Sequence, residues 1–267
     1  MAAGDEATTL SGVRVPFALI TPSVPGDKID DRAKGAKLMA AEMCIVHNCL
    51  IRGINAIYVQ CVNVATKGTD QDKIDFVGFA RAWGTMIEEH HSIEETDVFP
   101  EINDLAGVPG LMDANVEEHA VFHDGLALFI AYLDKVKAGE EALDGGKLQG
   151  IINDFMPVLR DHLEHEITTL VELEKYSDKC DWSAWFQKKG GEIASKGMKN
   201  SKYRVEVFPL AFCLHDKTYA GGIWASFPPI PWFFTMVLRW LFMGTYKAWW
   251  RFAPCDLTSQ PHKMPFA

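Results

Sequence analysis

What this 267-residue sequence has little of narrows its function before any motif is considered. Its six cysteines, at positions 44, 49, 61, 180, 213 and 255, are thinly spread and form no CxxC pair. Neither a thiolate zinc site nor a disulfide framework is indicated. Basic residues are outnumbered, 26 Lys and Arg against 36 Asp and Glu, and run together for no more than a few positions. Nucleic acid is therefore not an expected partner, because phosphate recognition needs clustered cations. The opening Met-Ala-Ala-Gly-Asp-Glu lacks the charged-then-apolar build of a signal peptide. The most apolar run, Trp232–Met243, is interrupted by Arg239 and is shorter than the about 20 residues a membrane span needs. A reduced, cytoplasmic protein is the expectation.

Core-forming material is plentiful, with 48% hydrophobic and 11% aromatic residues, which argues against disorder. Apolar positions recur at helical spacing in four stretches, about 33–65, 70–101, 111–137 and 147–176. Lys67-Gly-Thr-Asp70, Ala106-Gly-Val-Pro-Gly110 and the glycines at 139, 145 and 146 punctuate them. Pro157 lies inside the fourth stretch and is expected to kink it. Four helices of similar length on short loops predict an all-α fold, an up-down-up-down four-helix bundle over 32–178. Residues 1–31, with Pro16, Pro22 and Pro25 among small polar residues, read as an extended N-terminal arm. Residues 179–267 read as a loop-rich C-terminal extension that begins with a short helix near 182–196 and packs its aromatics on the bundle. An interfacial membrane anchor at 229–252 is the less favoured reading of that tail, and the His215-Asp216 pair reads as structural.

The histidines carry the chemistry. Seven of the nine fall between 47 and 165. His90 and Glu94, His91 and Glu95, His119 and His123, and His162 and Glu166 are each four residues apart, so each pair shares one helix face. His47 sits beside the apolar stripe of the first helix. Several imidazoles and carboxylates buried in a bundle core would cost several kcal/mol per uncompensated ion, a cost that a metal offsets. Imidazole-rich donors with two carboxylates and no thiolate suit iron, and would also take zinc or manganese. The set is too large for one tetrahedral ion and fits two adjacent ions bridged by carboxylates. The Glu-x-x-His spacing of ferritin-like sites occurs near here only once, at Glu88 and His91, which disfavours that chemistry.

One His on the first helix, His-x-x-x-Glu on the second, His-x-x-x-His on the third and His-x-x-x-Glu on the fourth resemble the haemerythrin-like, HHE cation-binding family over roughly 33–176. The tail, with Trp-Trp-Arg-Phe-Ala-Pro-Cys at 249–255, also looks like that of fungal members. The resemblance implies a non-haem di-iron centre that binds dioxygen or senses iron or oxygen. The ligands it implies are His47, His90 or His91, Glu94 or Glu95, His119, His123, His162 and Glu166, the two Glu bridging the irons. Superposing the second and fourth helices favours His90 with Glu94, leaving His91 as an extra ligand or an outer partner and His91 with Glu95 as the alternative register or outer shell. The oxygen carriers of the group offer Asp five residues after the last His; here Glu follows at four, which resembles the wider group more closely. Two functions follow as expectations, a protein that binds dioxygen as carrier, store or sensor, and a di-iron oxidase or oxygenase acting on a small organic substrate or on peroxide.

Overall fold

A computed structural model describes residues 8–21, 35–228, 236 and 240–267. Four long helical rods dominate it: α1 (Ala36–Lys67), α2 (Asp70–Ile93) running on through a π turn into α3 (Phe99–Ala106), α4 (Asp113–Ala138) and α5 (Gly145–Glu172). α1 packs on α2 and α5, and α4 on α2 and α5, so the rods close into an up-down-up-down bundle. Local chemistry sets their ends. Thr69 and Asp72 form a reciprocal capping box at the start of α2, and the Asp144 carboxylate accepts from the Lys147 N–H at the start of α5. Gly107 and Gly139 terminate α3 and α4 in the left-handed conformation. Helical structure in α5 continues through Pro157.

Two π turns were not foreseen. Glu94–Val98 joins α2 to α3, and Tyr203–Val207 leads into α7 (Phe208–Leu214); a Phe-Pro pair follows each. The Phe N–H bonds five residues back in both, Phe99 to Glu94 and Phe208 to Tyr203. A proline ring would collide with the carbonyl four residues back in a regular helix, and the wider turn relieves that collision.

The N-terminal segment is partly a hairpin, β1 (Thr9–Leu10) pairing antiparallel with β2 (Val13–Arg14) across Ser11 and Gly12, both with positive φ. The chain then runs along α1, held by two asparagines two helical turns apart. Asn48 accepts from the Ile20 N–H and donates to its carbonyl, and Asn55 does the same for Phe17. Pro22 and Pro25 lie outside the described residues.

Beyond the bundle come α6 (Trp182–Gly197), the second π turn, α7 and an irregular tail that returns to α1 and α2. Phe252 packs edge-on against Phe76, its carbonyl accepts from Gln60, and Arg251 reaches both Asp72 and Asp75. Gly78 lies flush against Trp249; a Cβ there would stand 2.2 Å from the indole. His215 is buried and bonds the Trp224 carbonyl through Nε2. No helix among the described residues is long and apolar enough to cross a membrane.

Asn55→Ala leaves the Phe17 N–H and C=O buried without partners, so it should lower stability by about 1–3 kcal/mol. Urea denaturation of the full chain measures this; a change within a few tenths would show that the asparagine latch is not part of the folded core.

Candidate metal centre

The inward faces of the four rods bring seven ligating side chains together. His47 comes from α1, His90 and His91 from α2, Glu94 from the first residue of the π turn, His119 from α4, and His162 and Glu166 from α5. They form two groups, His47, His90, Glu94 and Glu166 in one, and His91, His119 and His162 in the other, with ligating atoms within 4.8 Å of one another in each. The carboxylates lie between the groups. Glu94 Oε1 is 3.0 Å from His90 Nε2 while its Oε2 is 3.8 Å from His119 Nε2. Glu166 Oε2 stands 3.3 Å from His47 Nε2 and 3.9 Å from His162 Nε2.

Outer partners fix which ring nitrogen faces inward. His47 Nδ1 lies 2.8 Å from the Leu163 carbonyl, which can only accept, so Nδ1 carries the hydrogen. Carboxylates play the same part elsewhere, Glu95 at 2.7 Å from His119 Nδ1 and Glu118 at 2.9 Å from His162 Nδ1. Each Nε2 therefore turns a lone pair to the interior. His119 Nε2 and His162 Nε2 are only 3.0 Å apart. Two lone pairs at that separation repel unless a cation lies between them.

Seven buried atoms of the cluster have no hydrogen-bond partner: Nε2 of His47, His90 and His91, and both oxygens of Glu94 and of Glu166. Such orphans are rare in native cores, and a cluster of them calls for an unseen partner. Protonation points the same way. Burial holds His90 down at about 3 and His162 at about 4, and pushes His91 well below the ordinary imidazole value, so these rings are neutral ligands at pH 7. Burial, with Glu166 and Glu95 nearby, drives Glu94 well up. Burial also raises Glu166, but His47, His162 and His90 outweigh it and bring the carboxyl to about 2. Two buried acids sharing one site split in this manner, and a cation would let both ionise. The donor set fits a metal.

His123 is the correction. Expected as a ligand beside His119, it lies on the outside of α4 with its side chain 75% exposed and facing Asp124. The buried face of α4 runs Asn115, His119, Phe122, Leu126, Phe129 and Leu133, a heptad alternation of four and three. Phe122 therefore takes the inward position after His119, and its ring centroid lies 5.1 Å from that of His91 and 5.4 Å from that of His162. Both histidines of the 90/91 doublet point inward, one to each group, and Glu95 orients His119 instead of joining the cluster. Glu118 was not anticipated. It reaches across from α4 to His162 and the exposed His165, and spacing along one helix cannot reveal a partner on another.

A helical bundle with an internal His/carboxylate cluster is the architecture of a metal-binding bundle protein. Comparison with known proteins assigns the family: the hemerythrin HHE cation binding domain matches residues 47–173, and the chain belongs to that family. A relative from Cryptosporiopsis sp. (strain 8999), named as dimeric xanthone biosynthesis cluster protein R11, is 32% identical over 252 residues, covering 94% of this chain and 91% of its own. No solved structure shows a significant match.

Ligand-orienting carboxylates typically contribute about 10–100-fold to metal affinity. Glu118→Ala should weaken metal binding by that factor in a competitive chelator titration without changing the number of ions held at saturation, while His123→Ala leaves affinity unchanged. A His123 variant that loses an ion would restore it to the ligand set.

Proposed function

We propose that this chain is a non-haem di-iron protein that binds dioxygen, as carrier, store or sensor. The observation that carries the reading is the pair of ligand groups with two carboxylates between them. In this reading His47 and His90 would hold one iron and His91, His119 and His162 the other, with the Glu94 and Glu166 carboxylates available to both. Five imidazoles against two carboxylates make a donor set of low negative charge. Iron in such a set supplies the electrons that dioxygen needs in order to bind. The protein's own part is to keep His90, His91 and His162 neutral by burial, to fix the tautomers of His47, His119 and His162 through Leu163, Glu95 and Glu118, and to exclude bulk water with Phe99 and Phe122 packed against the rings.

A second reading has a specific support. The Cryptosporiopsis relative belongs by its name to a xanthone biosynthesis cluster, and its likeness runs through nearly the whole chain. A di-iron oxidase or oxygenase working on a small organic molecule fits that setting. Two surface clefts, one of about 420 Å3 at Pro100–Gly110 and one of about 470 Å3 beside Pro261–Met264, include none of the seven ligands. Dioxygen is small enough to bind at a buried centre, which supports the binding reading. The six cysteines are all free thiols, five of them buried, in keeping with a reducing compartment such as the cytoplasm.

Protein loaded anaerobically with ferrous iron should hold two ions per chain and develop a visible absorption on exposure to dioxygen that disappears when the gas is removed. Glu166→Ala should retain at most one ion and lose that absorption. Irreversible oxidation in a single turnover moves the assignment to the enzyme, and failure to hold stoichiometric iron sinks both readings.

A further inference from the structure

Helix α4 carries two heptads back to back. Its inner row runs from Asn115 to Leu133 and packs into the bundle. On the opposite side Glu117, Val121, Asp124, Leu128, Ala131 and Lys135 repeat the same alternation of four and three, and all six are exposed. Seven residues between 120 and 131 are exposed, and five of them are apolar: Ala120, Val121, Ala127, Leu128 and Ala131. The two large ones stand well out, Val121 67% and Leu128 53% exposed. A bundle helix that faces only water carries charged and polar residues there instead.

Charge completes the row. Glu117 lies at one end and Lys135 at the other, and neither has an ion pair among the described residues, although Asp134 beside Lys135 is paired with Arg81. The row complements itself when reversed. Against an antiparallel copy, Glu117 falls opposite Lys135, Val121 opposite Ala131 and Asp124 opposite Leu128, each layer occurring twice about a two-fold axis. One register, centred on Leu126, satisfies all three layers. A parallel copy would instead set Glu117 against Glu117 and Lys135 against Lys135, and like charges so placed repel.

We propose that the outer face of α4 is the interface of a homodimer, in which the helix packs antiparallel on the α4 of a second copy. The row from Glu117 to Lys135 extends over about 27 Å, or about five turns of each helix. Ala120 and Ala127 flank it, and side chains that small let two helices approach closely. Asp124 is the polar member within the row, and such a residue fixes register at a cost in stability. A row of this size is well below the roughly 20–30 residues a side of a stable interface, so association is reversible and of roughly micromolar strength. His119 faces the other way, so pairing leaves the metal centre of each copy separate.

The test is sedimentation equilibrium of the full chain over a concentration series reaching well above the micromolar range. The wild-type chain should pass from monomer to dimer as concentration rises. Val121→Glu with Leu128→Glu should raise the dissociation constant at least about tenfold. Glu117→Lys alone and Lys135→Glu alone should each raise it roughly three- to tenfold by setting like charges opposite, and the two together should restore it. All four side chains are exposed, and unchanged circular dichroism would confirm intact folding. A wild-type chain that stays monomeric throughout overturns the proposal and leaves a different protein as the occupant of this face. A dimer undiminished by the paired Glu substitutions, or a charge exchange that fails to restore association, overturns it as well.

Discussion

Glu94 and Glu166 sit in the bundle core with none of their four oxygens hydrogen-bonded, facing the Nε2 atoms of His47, His90, His119 and His162. Stripping such groups of water costs several kcal/mol each, and only close, opposite charge recovers it. The surroundings are built to hold that arrangement. Below it, Trp83 anchors α2 to α1 by donating to the Leu50 carbonyl, and Gly53 lets the indole close in, since a Cβ there would be 2.3 Å from its Cδ1. Trp83 in turn meets Phe129 of α4 and Phe155 of α5, so one side chain ties all four rods beneath the ligands.

Function follows from how that cost is met. A metal in the cluster would satisfy its orphan atoms and let Glu94 ionise beside Glu166. Glu95, Glu118 and the Leu163 carbonyl make the arrangement directional, since each leaves its histidine one nitrogen to give. Replacing the ligands by apolar residues would relieve the strain on folding. Their presence is therefore a constraint set by chemistry, against what packing alone would choose.

The bundle and most of the side chains that meet in the His/Glu cluster could be read from the sequence because both obey one periodicity. A residue that must face the core for packing and one that must face it for chemistry recur at the same three-to-four spacing, so His47, His90, Glu94, His119, His162 and Glu166 declared themselves. His123 misled because four residues is a neighbour on an ideal helix, while α4 follows a heptad that hands the inward slot to Phe122. The His90/His91 doublet could not be resolved because helical spacing does not separate two adjacent residues at the edge of one face, and the two groups use both. Glu118, the asparagine latch and the π turns act between segments far apart in the chain or depend on a local backbone change, and neither leaves a period to detect.

The tail is part of the same design. Its contacts with α3 gather around the π turn that carries Glu94 and Glu95: Lys196 meets Asp97 within that turn, while Trp185 Nε1 and Lys189 both meet Glu101 just beyond it. A π turn is a local departure from regular helix, and here its first residue carries the buried Glu94 carboxylate. Those contacts tie the turn and the start of α3 to α6, outside the four rods. The family match ends at residue 173, but the likeness to the Cryptosporiopsis protein covers 94% of the chain and so extends well into the tail. A segment that braces the ligand-bearing turn from outside gives a physical reason for tail and bundle to be kept together.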